Sequence, residues 1–119
     1  MERLNKHEIH KLAMQEVGSY LETEGYEFLG VNSNIKQSPQ FVCVKDKLLY
    51  FIVVSGCLYP NSPKKYDIKK MNKVKDHAKK NKINLYFAGV GFANSENYNL
   101  PLVKNKSYVV NFNGLEKIL

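Results

Sequence analysis

Between Leu48 and Ser55 the chain reads LLYFIVVS, and no other segment constrains the fold as tightly. Side chains alternate across a strand, so Leu48, Tyr50, Ile52 and Val54 share one face while Leu49, Phe51 and Val53 share the other. Both faces are apolar, which predicts a central strand covered on two sides. A second run of this kind, Ile83 to Gly91 (INLYFAGVG), predicts its neighbour in the sheet.

Two helical segments are available as covers. Residues 5–24 place Ile9, Leu12, Ala13, Glu16, Val17, Tyr20 and Leu21 at helical spacing. Asn5 and Glu8 predict a capping box at its start, and Gly25 stands where a left-handed C-terminal cap is needed. Short β-rich runs at 26–32 and 40–45, the latter joined to 48–55 through an Asp46-Lys47 turn, predict a three-stranded meander. Pro60, Asn61, Ser62 and Pro63 mark residues 56–66 as a loop. Asp67 caps a second helix reaching Asn81, with Ile68, Met71, Val74 and Ala78 as its inward stripe. Beyond the strand at 83–91, a polar loop leads to Pro101 and a final edge strand is expected from Tyr108 to Phe112.

The order αβββαββ is an α+β arrangement, in which one mixed β-sheet is flanked by two helices and the second helix crosses from the third strand to the fourth. At 119 residues with 44% hydrophobic side chains, the expectation is a single domain spanning 1–119. The apolar run at 48–55 is far shorter than the ~20 residues that cross a bilayer. Asn5, Lys6 and His7 interrupt the start of the chain where an export signal would be apolar. The expected location is therefore cytoplasmic, with no membrane contact. In that setting Cys43 and Cys57, in or beside apolar segments, read as buried reduced thiols.

Charge is distributed unevenly. Residues 64–82 hold nine lysines (Lys64, Lys65, Lys69, Lys70, Lys73, Lys75, Lys79, Lys80, Lys82) against Asp67 and Asp76, which accounts for the whole net charge of +7. A basic helix of this kind can bind phosphates, and Lys64, Lys65, Lys69, Lys70, Lys73 and Lys80 are the candidates. The plainer reading is a solvated face that keeps the protein soluble, since the segment has no arginine to form bidentate phosphate forks.

Other signals are thinner. His7 and His10 lie one helical turn apart, with His77 far along the chain, an incomplete set for zinc; no metal or other cofactor is expected. Cys43 and Cys57 form no C-x-x-C motif. The stretch Ala88 to Asn94 carries Gly89 and Gly91 but has Asn94 at the third glycine position of a dinucleotide loop, so close packing at a strand end is the better reading. Tyr59, Tyr66, Tyr98 and Tyr108 lie in or near loops, where they can stack on bases, form an interface or simply border the sheet.

Ser38-Pro39-Gln40 leading into the second strand, together with the hairpin from Val44 to Ser55 in this element order, resembles the PD-(D/E)xK nuclease superfamily over roughly residues 5–92. The resemblance implies a restriction-endonuclease-like fold. In active members an acidic residue follows the proline, and a carboxylate and a lysine lie two residues apart on the third strand. The carboxylates hold a magnesium ion that polarises the phosphate, while the lysine orients or activates the attacking water.

The matching positions here are Gln40, Val53 and Ser55, so the resemblance carries the scaffold without its catalytic side chains. Glu16, Glu22, Glu24, Glu27 and Asp46 are the carboxylates open to relocation from neighbouring elements, against a plain reading as surface charges. Short chains of this kind are also similar to proteins named for the sodium-translocating NADH:quinone reductase, after its component that joins a plant-type ferredoxin to a flavin reductase. Such a component needs four cysteines for a two-iron cluster plus a nucleotide-binding domain, and two cysteines in 119 residues supply neither.

The resulting expectation is a non-catalytic interaction domain, a homodimer through an exposed strand edge being one form of it. Its partner is an unidentified protein or a nucleic acid. The alternatives are a nucleic-acid-binding module using the lysine-rich helix and a metal-dependent nuclease with relocated carboxylates.

Overall fold

In a computed structural model, which describes residues 2–119, two helices cover opposite faces of one six-stranded mixed sheet. Helix α1 spans Lys6–Thr23. The Glu8 N–H donates to Asn5 Oδ1 at 2.8 Å and the Asn5 N–H donates to Glu8 Oε1 at 3.0 Å, which closes the capping box. At the other end Gly25 takes φ 86°, so that the Tyr26 N–H reaches the Leu21 carbonyl at 2.9 Å and ends the helix.

Strands β1 (Glu27–Val31), β2 (Phe41–Lys45) and β3 (Leu48–Leu58) form an antiparallel meander. Asp46 and Lys47 adopt φ 52° and 67°, the positive pair that a two-residue hairpin turn requires. Helix α2 (Ile68–Lys80) then crosses over to β4 (Asn84–Asn94), which runs parallel to β3. Strands β5 (Tyr108–Asn111) and β6 (Glu116–Lys117) share the far edge of β4, both antiparallel to it.

The alternation read in the two apolar runs sorts the core into two layers. Ile52 and Val54 of β3, with Ala88, Val90 and Phe92 of β4, pack under Ile9, Ala13, Val17 and Leu21 of α1. Phe51, Leu85 and Phe87 point to the other face and pack under Met71, Val74 and Ala78 of α2. β3 is thus central, as its sequence requires.

The structure corrects several expectations. Leu48 and Leu49 remain 53% and 41% exposed and join neither apolar cluster, so β3 is covered on both faces only farther along. β3 and β4 run past Ser55 and Gly91 to Leu58 and Asn94, because the parallel ladder continues through Gly56↔Val90, Cys57↔Gly91 and Leu58↔Phe92. The glycines do not end these strands. Gly89 instead lets the loop after β3 lie against the sheet, where a Cβ would collide with the Pro63 carbonyl oxygen. Ile68, at 68% exposure, falls outside the inward stripe of α2. β6 turns the order into αβββαβββ; two polar residues give no alternation from which to foresee it. Tyr26, Asn32, Gln40, Ile83 and Phe112 lie just outside the strands expected to hold them.

Candidate functional site

The pairing of β2 with β3 begins at Phe41↔Ile52, so beyond Ile52 no described strand continues the ladder on that side. Gln40 bridges the gap. Its N–H donates to the Ile52 carbonyl at 3.0 Å, its Oε1 accepts from the Val54 N–H at 2.8 Å, and its Nε2 donates to the Gln37 carbonyl at 2.6 Å. At 2% exposure the side chain acts as a buried extension of the ladder.

Past Gln40 the diverging chain leaves a cavity of about 160 Å³ between β3, the 35–40 loop, α1 and the start of α2. Gln40, Val53 and Ser55 all line it, as do His10, Asp67 and Lys70. Three positions chosen from sequence therefore converge on one site, and one residue of the basic helix joins them. The convergence follows from the topology: Gln40 enters β2 beside β3, while the β3 to β4 crossover sets the first turn of α2 over Val53 and Ser55.

The donors present do not fit a divalent cation. Gln40 Oε1 already accepts from the Val54 N–H, Val53 has no donor, and Ser55 offers a neutral hydroxyl. Asp67 is the one carboxylate among the described lining residues, and its Oδ1 accepts from the Lys70 N–H at 3.1 Å as the cap of α2. Glu16, Glu22, Glu24, Glu27 and Asp46 do not line the cavity. Among the described residues no group of three or more His, Cys, Asp or Glu side chains is placed to hold a metal ion.

His10 is the feature that sequence reasoning missed. It does not face the same way as exposed His7; it is 4% exposed, and its Nε2 has no hydrogen-bond partner among the described residues. Burial holds its pKa below the usual histidine value, with the nearby His7 acting the same way and the Ser33 backbone opposing them. The signal was available, because His10 is four residues before Met14 and seven before Val17, both on the buried stripe.

The basic surface lies alongside. Lys69, Lys73 and Lys80 fall opposite Met71, Val74 and Ala78 on the helical wheel and are exposed, as are Lys64, Lys65 and Lys70. The ion pairs among the described residues join Lys104 to Glu2 and Glu8, leaving the α2 lysines uncompensated at close range. Lys64 borders a separate depression with Phe87 and Gly89.

Of the two free thiols, Cys43 is fully buried, which pushes its pKa up to about 11. Cys57 is only partly buried, contrary to expectation, and burial raises its pKa as well. No helix among the described residues is long and apolar enough to cross a membrane.

The family model described as domain of unknown function DUF8840 matches residues 7–118. The chain belongs to the DUF8840 family. No curated protein and no solved structure matches this DUF8840 chain. The matched span takes in Gln40, Val53, Ser55 and the whole of α2, so the cavity and the basic helix are both features of the DUF8840 region.

Proposed function

We propose that the protein is a non-catalytic interaction domain, a pseudoenzyme on a restriction-endonuclease-like scaffold, with nucleic acid as its partner. The observation that carries this reading is the juxtaposition of the cavity with the basic helix. Gln40, Val53 and Ser55, the positions that the nuclease resemblance assigns to catalysis, meet in a cavity whose wall includes Lys70 of α2. The connectivity agrees with the resemblance, since an antiparallel meander is followed by a crossover helix and a parallel fourth strand.

A strand laid along α2 would bring a phosphate to the cavity and meet an amide, an isopropyl group and a hydroxyl. Without paired carboxylates the phosphodiester is gripped and not cut. The α2 lysines supply the grip through counterion release. The reading places the domain in the cytoplasm, where Cys43 and Cys57 stay reduced.

Fluorescence anisotropy of labelled single- and double-stranded DNA across a salt series tests it. Micromolar binding with a steep salt slope is expected, and neutralising Lys69, Lys73 and Lys80 to Gln should lower the magnitude of that slope by up to about three on duplex. The recovered DNA should be intact with magnesium or manganese. No binding at ~100 mM salt would overturn the nucleic-acid reading; a partner retained through nuclease treatment during purification would assign the domain to a protein.

A further inference from the structure

A second cavity, of about 400 Å³, opens at the far end of β4, away from Gln40 and Ser55. Gly91 and Ala93 form its floor, with Val109 of β5 on the same face of the sheet and Tyr59 and Tyr98 reaching it from the flanking loops. The two tyrosine rings meet edge to face, with centroids 5.4 Å apart and planes inclined by 65°. Asn61 and Asn111 bring carboxamides to the same cavity.

Both tyrosines sit on anchored chain. The Tyr59 N–H donates to the Phe92 carbonyl at 2.9 Å, which ties the start of its loop to β4. The Tyr98 loop is held by buried Asn94, whose Oδ1 accepts from the Glu96 N–H at 2.9 Å and whose Nδ2 donates to the Pro101 carbonyl at 3.1 Å. Even so, Tyr59 and Tyr98 are 49% and 50% exposed. Paired rings held in place beside an apolar floor, with carboxamides to reach a ring edge, suit a flat heteroaromatic ligand.

Charge decides which one. Pro63 lines the cavity and is followed at once by Lys64 and Lys65, where the basic segment begins. A ligand with an aromatic ring here and an anionic group at those lysines complements both surfaces. We infer that this cavity takes an unpaired base of single-stranded nucleic acid, stacked against Tyr98 and Tyr59, with the adjoining phosphate at Lys64 and Lys65. The inference rests on the nucleic-acid reading above and adds to it a preference for unpaired over duplex strands, because a base inside a helix cannot enter.

The test compares three labelled probes by anisotropy: an oligothymidylate, an oligonucleotide of equal length made of abasic units, and a duplex. Tyr98→Ala should weaken oligothymidylate binding roughly tenfold and leave the abasic and duplex probes unchanged. Tyr98→Phe should retain the affinity. Gly91→Ala offers a second route, since its Cβ would lie 3.5 Å from Pro63 Cγ and 3.6 Å from Asn111 Cβ, ordinary contacts that preserve the fold while raising the floor. It too should weaken only the oligothymidylate.

Equal losses on all three probes, or no loss on any, would overturn the inference while salt-dependent binding left the nucleic-acid reading standing. A Tyr98 effect that persists when Lys69, Lys73 and Lys80 are neutralised without consequence would separate the two the other way. Dimerisation abolished by Val109→Glu, with no effect of Tyr98→Ala on any probe, would assign the cavity to a second copy of this chain and refute a base site.

Discussion

Replacing Gln40 by Met keeps the length and volume of the side chain and removes both of its hydrogen bonds. The Gln37 carbonyl belongs to an exposed residue, so water can replace the lost Nε2 donor there. The Val54 N–H has no such recourse, because Val54 is 4% exposed and its acceptor is Gln40 Oε1. A buried donor left unsatisfied costs about 1–3 kcal/mol, and a volume-conserving exchange adds little. The expected loss is about 2 kcal/mol, read by urea unfolding as a fall of roughly 1 M in the midpoint for a chain of this size.

Gln40→Glu sharpens the test. A carboxylate still accepts from the Val54 N–H but turns its second oxygen toward the Gln37 carbonyl with no proton to share. Burial and that oxygen raise the carboxyl pKa in the folded state. A raised folded pKa means stability that is fully present below the unfolded value and lost as pH rises through the folded one. Gln40→Glu should therefore approach wild-type stability in acid and fall below it at neutral pH, whereas Gln40→Met is weaker at every pH. A Gln40→Met protein within about 0.5 kcal/mol of wild type would refute the ladder-bridging role.

Three further outcomes come from other parts of the fold. His10 has a lowered folded pKa, so the unfolded chain takes up the proton first and stability declines as pH falls below about 6.5; His10→Leu should lack the His10 share of that decline in urea midpoints, and identical profiles would contradict it. A disulfide-exchange reagent near pH 8 should modify Cys57 and spare Cys43, whose thiol is fully buried with its pKa pushed up to about 11, until urea unfolds the chain. Gly89→Ala should cost about 1–3 kcal/mol through collision with the Pro63 carbonyl; calorimetry showing an unchanged melting temperature would mean that the loop does not lie on the sheet there.

Much of the fold was legible because its signals are local. The capping box at Asn5 and Glu8, the turn at Asp46-Lys47 and the two-faced runs in β3 and β4 each depend on neighbours in sequence. The strand ends were not legible, since Gly56 and Gly91 look like breaks unless the parallel partner that continues the ladder is known. At the candidate site, Gln40, Val53 and Ser55 were found through a resemblance in order and spacing, and the structure brings them to one cavity. Its other walls come from distant segments. That Asp67 and Lys70 face Ser55 depends on the crossover, which no local pattern encodes, while the burial of His10 was written in the helical period and masked by its polarity. The aromatic cavity joins Tyr59 and Tyr98, 39 positions apart in sequence, through two loops anchored on β4.

Residue-resolved NMR would show whether nucleic acid lies along α2 and over the cavity. Amide spectra of the ¹⁵N-labelled protein would be recorded during titration with a short oligonucleotide in magnesium, and the oligonucleotide run on a gel afterwards. Shifts should concentrate at Lys69, Lys70 and Lys73 of α2 and reach Ser55 in the cavity, with the oligonucleotide uncut. Shifts confined to the β1 edge or the β2–β3 hairpin, no shifts at all, or a cleaved oligonucleotide would contradict the proposed function.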